Sequence, residues 1–177
     1  MNAFVTSIGE KTTGICCQQL RRFGFKVVLL DKKEEWIDKY KRFIDIADED
    51  CIRVDADIIV NKHIKNVGLE DKKALMISYW GWDFYKNDMG ITSPVFYRKP
   101  VFDIIKKNLH KIDARRPETS VWRLPGVVEK TFESQIVVGM HGFFQYDWTV
   151  KFAKKNKEDR GQISDYDFNL VNNLMNL

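Results

Sequence analysis

The sequence predicts an α/β fold with a mostly parallel central sheet, and three observations carry that expectation. Short apolar runs rich in β-branched residues, at 3–8, 25–30 and 51–54, alternate with segments of helical period. The links between them are short. Each run also ends in polar or acidic residues. Strand–helix–strand alternation of this kind calls for right-handed crossovers that place helices on the sheet faces. In such sheets ligands gather beyond the carboxyl ends of the strands. The 177 residues suit one domain with a substantial core.

Residues 3–8 form the first strand, ending at Gly9. Thr12 or Thr13 caps a helix to about Phe23, with Cys16, Leu20 and Phe23 on one face, and Gly24 stops it. Residues 25–30 make a second strand, apolar enough for burial on both faces, with Asp31 at its carboxyl end. A second helix repeats Trp36, Ile37, Tyr40, Phe43, Ile44 and Ala47 at helical spacing. The third strand, 51–54, delivers Asp55 and Asp57. Beyond it, residues 58–67 read as a short helix and 74–80 as a strand. Gly90 and Pro94 punctuate a loop before a strand at 95–97, and Pro100 opens a helix carrying Ile104, Ile105, Leu109 and Ile112 inward. Residues 114–126, rich in Arg, Pro and Thr, read as irregular. A late strand at 136–140 precedes His141 and Gly142, and a terminal helix spans 166–177.

Composition sets the class. Hydrophobic residues at 44% and charged ones at 31% give an ordinary globular balance, neither disordered nor membrane-embedded. No apolar stretch approaches the roughly 20 residues that span a bilayer. The first residues lack the basic start and long apolar region of a signal peptide, and three cysteines, two of them adjacent, make no disulfide framework. A cytoplasmic location is expected. The net charge of +4 owes much to the lysines of 151–157, which read as a solvated face or as an attraction for phosphates, and no nucleic-acid partner is expected.

The chemistry concentrates at Asp55-Ala56-Asp57. Two carboxylates that interrupt a buried apolar run need a cation or strong donors to neutralise them. A strand that ends here would project both toward a divalent metal, and hard oxygen ligands suit Mg2+ or Mn2+ with positions left for substrate phosphates. A solvated turn is the alternative for a lone Asp-x-Asp. Thr6, Ser7, Asp31, Asp55 and Asp57 coincide at one sheet edge in this reading, which favours the site over the turn.

Several stretches resemble the GT-A glycosyltransferases. Residues 4–10 (Phe-Val-Thr-Ser-Ile-Gly-Glu) look like the family's opening strand and nucleotide-binding turn. Val28-Leu29-Leu30-Asp31 looks like its second strand with an acidic end, and residues 50–60 look like its strand bearing the DxD motif. Val137-Val138-Gly139-Met140-His141-Gly142 resembles the region that often supplies a histidine ligand. The interval from the second strand to Asp55 matches compact members, similar to family 2 or family 8, rather than the large family-2 enzymes.

The resemblance implies one GT-A-like (Rossmann-like) αβα domain, with a nucleotide-binding half at 1–67 and an acceptor-side half at 68–177. It implies transfer of a sugar from a UDP- or GDP-sugar to a glycan, lipid or protein acceptor. Asp55, Asp57 and His141 would hold Mn2+ or Mg2+ on the diphosphate. Thr6, Ser7 and Asp31 would meet base and ribose, and Lys41, Arg42 or Arg53 would add positive charge. Glu118 is the first candidate for acceptor base and Glu133 or Asp147 the next, although pairing with Arg115 or Arg116 is an alternative fate for Glu118. Trp82 and Asp83, placed in a loop within the aromatic cluster 79–85, suit contact with a sugar ring, and Trp148 beside Asp147 is a weaker case. Two rival functions remain. A nucleotidyltransferase would carry a Gly-rich basic phosphate loop, for which Gly9-Glu10-Lys11 is thin, and a binding module would keep the fold without turnover.

Overall fold

The structure, a computed structural model, describes residues 1–10, 12–83, 88–114 and 116–142. The expected helix at 166–177 and the lysine run at 151–157 lie outside the described residues. Seven strands join one sheet: Asn2–Thr6 (β1), Lys26–Leu30 (β2), Cys51–Asp55 (β3), Ile58–Val60 (β4), Met76–Asp83 (β5), Asp88–Tyr97 (β6) and Thr131–His141 (β7). Their order is β2-β1-β3-β6-β5-β7-β4. β1 runs parallel to β2 and β3, and β5 runs parallel to β7. β6 is antiparallel to both β3 and β5, which brings those two into one direction, and β4 is antiparallel to β7. Five strands therefore point the same way, and the expected mixed α/β fold with a mostly parallel sheet is what the chain adopts.

Side chains alternate across the strands and feed two cores. Ala3, Val5, Ile52, Val54, Ile77 and Tyr79 face one core, together with Cys16 and Leu20 of helix α1 (Thr13–Arg22). Phe4, Cys51, Met76 and Tyr97 face the other, beneath α2 (Trp36–Ile46), α3 (Lys99–Lys107) and α4 (Pro117–Trp122). There Phe43 makes edge-on contacts with Phe4, Tyr40, Tyr97 and Phe102, at centroid separations of 5.1–5.8 Å. No helix among the described residues is long and apolar enough to cross a membrane.

Five local expectations are corrected. Residues 58–60 form β4, because three β-branched residues pair in register with β7, and only Lys62–Asn66 turns as a 3-10 helix. Gly90 and Pro94 lie inside β6. The ladder pairs Ser78 with Val95 but Tyr79 with Thr92, so Ser93 and Pro94 bulge out, which suits a proline without an N–H. Residues 114–126 contain α4, whose first turn holds Pro117; six helical residues are too few to show a period. β2 is an edge strand rather than one buried on both faces, and Leu29 is 38% exposed. Trp82 and Asp83 belong to β5 rather than a loop.

Close packing sets the site end of the sheet. A Cβ placed on Gly139 of β7 would lie 2.7 Å from the Ile59 carbonyl oxygen of β4, a backbone atom that cannot swing away. Gly139→Ala is expected to destabilise the protein by about 1–3 kcal/mol, measured by denaturant unfolding. Unchanged stability would contradict the β4–β7 register that positions Asp57 beside His141.

Candidate functional site

All five co-directional strands end at one edge. β1 brings Thr6, β2 ends before Asp31, β3 brings Asp55, β5 brings Asp83 and β7 brings His141. Asp83 and His141 are direct partners in the β5–β7 ladder. Asp57 follows in the turn between β3 and β4, and its carbonyl accepts the Gly142 amide at 3.2 Å. The Ala56 amide donates to Thr6 O at 2.9 Å, and Thr12 Oγ1 donates to Ala56 O at 2.7 Å. Thr12 thus ties the start of α1 to the residue between the two aspartates instead of capping its own helix.

Asp55 is engaged by a buried cation. Arg53, 3% exposed, donates from Nη1 to Asp55 Oδ1 at 2.5 Å and to Thr6 Oγ1 at 3.2 Å. Thr6 Oγ1 donates to Asp55 Oδ1 at 2.7 Å, and the Asp55 amide donates to Ser93 Oγ at 2.7 Å. The other guanidinium arm meets Glu118 Oε1 of α4 at 3.0 Å, and the guanidinium lies over the Trp36 ring. Trp36 Nε1 donates to Glu118 Oε2 at 3.3 Å. Burial opposes charge on both Arg53 and Asp55, but their mutual attraction outweighs it. The Asp55 carboxyl is held below its ordinary value, and Arg53 stays protonated throughout. Glu118, the candidate base, meets Arg53 and Trp36, and no pairing with Arg116 accompanies them among the described residues. Arg115, Asp147 and Trp148 lie outside the described residues.

Asp57 belongs to a second cluster. His141 Nε2 lies 3.0 Å from Asp57 Oδ2, and Nδ1 lies 3.4 Å from Asp83 Oδ1. Burial alone would lower the imidazole value, but hydrogen bonds to Asp57 and Asp83 override it and push it up to about 10. The metal-free ring is therefore an imidazolium held between two carboxylates. Among the described residues no three of His, Cys, Asp and Glu gather around one point that would hold a metal ion. The donor set nonetheless fits a hard cation of a particular kind. Asp57 Oδ1 is buried without a hydrogen-bond partner among the described residues. A magnesium-like ion commonly takes one or two carboxylates and completes its shell with water and substrate phosphates.

The remaining candidates fall in different places. Ser7 is buried in the turn after β1, and Asp31 is exposed at the end of β2. Arg42 pairs with Glu34 at 2.5 Å, and Lys41 pairs with Asp38 on the exposed side of α2. Glu133 accepts the Trp80 indole N–H near the amino end of β7, at the far end of that strand from His141. Trp82 is half-buried beside Asp83. Sequence reasoning missed Lys39, which is 1% exposed and donates from Nζ to the Ser7 carbonyl. The signal was present: Lys39 sits three residues after Trp36 and four before Phe43, on the inner face of α2.

No family model matches the chain, and no curated protein sequence is significantly similar to it. Solved structures do share its fold. It is similar to 4-diphosphocytidyl-2C-methyl-D-erythritolsynthase from Anaerococcus prevotii DSM 20548, with a TM-score of 0.59 and 10% identity over 88% of this chain and 97% of that one. It is similar to A197 from STIV, with a TM-score of 0.55 and 12% identity over 80% of this chain and 86% of that one. A glycosyltransferase involved in the glycosylation of the major capsid of PBCV-1 is a weaker neighbour, with a TM-score of 0.47 and 15% identity over 76% and 81% of the two chains. At these identities the likeness is one of fold.

The His141 cluster gives a signed pH dependence. Its folded value of about 10 exceeds the ordinary 6.5, so the charged ring stabilises the fold fully below pH about 6.5. That contribution is lost as pH rises through about 10. In metal-free buffer, the melting temperature of His141→Gln should fall furthest below that of the unmodified protein near pH 6. The gap should close toward pH 10, and one that widens with pH would contradict an imidazolium at this position.

Proposed function

We propose that this chain binds a nucleoside-diphosphate sugar at the carboxyl edge of its sheet and transfers the sugar to a glycan, lipid or protein acceptor. The observation that supports this reading best is the contrast between its two aspartates. Asp55 is already neutralised by Arg53, whereas Asp57 presents a buried oxygen without a hydrogen-bond partner among the described residues, beside His141. A carboxylate of that kind at the meeting point of five strand ends suits a divalent ion accompanied by phosphates. Mg2+ or Mn2+ held through Asp57, with His141 neutral, would offset the charge that grows on the leaving diphosphate.

The chain's own residues do the rest. Arg53 keeps Asp55 ionised and fixes the end of β3 against Thr6. Asp83 orients the His141 ring from Nδ1, which leaves Nε2 directed at Asp57. Glu118 acts in this scheme as a positioning residue for Arg53. Exposed Asp31 and the half-buried Trp82 are the contacts proposed for ribose or sugar.

A nucleotidyl transfer, in which a sugar phosphate attacks a nucleoside triphosphate and pyrophosphate leaves, is the second reading. The solved structures of like fold include a 4-diphosphocytidyl-2C-methyl-D-erythritolsynthase, which supports keeping it beside the first.

Calorimetry with UDP and GDP, with and without Mn2+, tests the shared premise on this protein and on Asp57→Asn. Metal-dependent nucleotide binding that disappears in the variant is expected. No binding in a folded sample, or equal binding by Asp57→Asn, would sink the reading. Free sugar released from a UDP- or GDP-sugar, as against pyrophosphate released from a triphosphate, then separates the two reactions.

A further inference from the structure

One stretch of the surface carries charge that the fold does not use. Residues 98–130 hold nine Lys and Arg against four Asp and Glu, a net +5 in a chain whose total is +4. One of these cations is structural, since the Arg98 guanidinium donates to the carbonyls of Gly68, Asp71 and Ala74. One carboxylate is engaged as well, because Glu118 turns inward to Arg53. Lys99, Lys106, Lys107, Lys111, Arg123 and Lys130 are exposed, and none has an ion-pair partner among the described residues. Exposed lysines elsewhere differ: Lys32 pairs with Glu34, and Lys41 with Asp38. Like charges gathered without counter-charges repel one another and project a positive field into solvent.

The fold places these cations together. Lys99, Lys106 and Lys107 fall on the outer side of α3, within about a third of a turn, opposite buried Val101, Phe102 and Ile105. Lys111 follows in the 3-10 turn Leu109–Lys111. The Leu75 amide donates to the Lys130 carbonyl at 2.6 Å and the Arg98 amide to the Leu75 carbonyl at 2.9 Å, which sets Lys130 near the start of α3. Apolar side chains lie among the charges. Val128 is 50% exposed, and its amide donates to the Leu124 carbonyl at 3.1 Å. Gly126 of the same turn comes alongside α3, where an added Cβ would lie 3.8 Å from Ile104 Cδ1. Ile104, Leu109, Ile112 and Trp122 are only partly buried against the core beneath them.

We propose that this face, the outer side of α3 with the turn at 124–130, lies on an anionic lipid surface. Charge complementarity selects an anionic partner, and the apolar side chains select among anionic partners. A nucleic acid is held by cations on its phosphates and by aromatic faces on its bases, and gains nothing from Val128, Ile104 or Ile112. A lipid surface uses both kinds of residue. Its headgroup phosphates meet the ammonium groups, while aliphatic side chains and a tryptophan enter the boundary beneath them. Lysine suits that boundary, because its stem covers apolar surface while its charge reaches the headgroups. No helix among the described residues is long and apolar enough to cross a bilayer, so the contact proposed is peripheral. It is independent of the sugar-transfer reading, since none of these residues belongs to the Asp57 edge.

Sedimentation of the full chain with vesicles of phosphatidylcholine and phosphatidylglycerol, against vesicles of phosphatidylcholine alone, tests the proposal. Binding to the anionic vesicles that weakens as salt rises is expected. A lysine near such a surface contributes about fivefold in affinity, so the triple variant Lys106→Gln, Lys107→Gln, Lys111→Gln should bind on the order of 100-fold more weakly. Val128→Ser should bind several-fold more weakly, with its salt dependence unchanged. All four side chains are exposed, so both variants should keep the melting temperature of the unmodified protein. No binding to anionic vesicles at low salt, equal binding to neutral ones, or equal binding by the triple variant overturns the proposal. Unchanged affinity in Val128→Ser, or tighter binding to a DNA duplex than to vesicles at equal phosphate concentration, overturns lipid as the partner. A dimer in vesicle-free buffer that the triple variant abolishes overturns it in favour of a second copy of the chain. Metal-dependent UDP binding should be the same in the triple variant, and its loss there would assign these lysines to the nucleotide edge instead.

Discussion

The burial of Arg53 is the constraint on which the site end of this molecule depends. A guanidinium placed inside a protein demands nearly all of its hydrogen bonds and a matching negative charge. Arg53 finds that charge, and partners for both terminal nitrogens, on β1 through Thr6, on its own strand through Asp55, on α4 through Glu118, and against the Trp36 ring of α2. Its Nε has no hydrogen-bond partner among the described residues. Neighbouring phenols do not share the charge, since burial pushes Tyr97 up to about 12 and holds Tyr40 well above its ordinary value. Taking one partner from such a buried arrangement commonly costs about 3–5 kcal/mol, because the other charge is left uncompensated. The network therefore joins four elements and fixes how β3 ends.

That fixation divides labour between two carboxylates only two residues apart. Asp55 lies on the same face of β3 as Arg53, two residues along a period of two, so pairing follows from strand geometry alone. Asp57 has left the strand and answers to β7 instead. There the parallel pairing of β5 with β7 sets Asp83 directly opposite His141, and the antiparallel return of β4 brings Asp57 to the other ring nitrogen. One motif thus contributes its first carboxylate to holding the fold, while its second keeps a buried oxygen without a hydrogen-bond partner among the described residues.

Much of this was legible in the sequence, and the exceptions have physical causes. The alternation of apolar runs and helical periods up to residue 55 predicts β1, α1, β2, α2 and β3, because each is long enough to show its period. The gathering of Thr6, Ser7, Asp31, Asp55 and Asp57 at one edge follows from parallel topology. β4 and α4 were not legible, since three and six residues carry no reliable period and are held by tertiary pairing. Pro94 concealed a strand because the bulge that accommodates it is a property of the β5–β6 pair, not of β6 alone. The partner of Glu118 was equally hidden: it lies 65 residues earlier in the chain, and only the packing of α4 over β3 reveals it.

The charges of the edge argue for the company a ligand keeps there. Arg53 faces two carboxylates, Asp55 and Glu118, and protonated His141 also faces two, Asp57 and Asp83. Among the described residues each cluster therefore retains one excess negative charge. Under the proposed function, that excess would favour a diphosphate that arrives with a cation, for which Asp57 offers a buried oxygen without a hydrogen-bond partner among the described residues. Asp57 and a neutral His141 would then hold the cation, which would supply positive charge beside the phosphates. On the same proposed function, a preference for the paired ligand over either component would follow from the placement of Arg53 and His141.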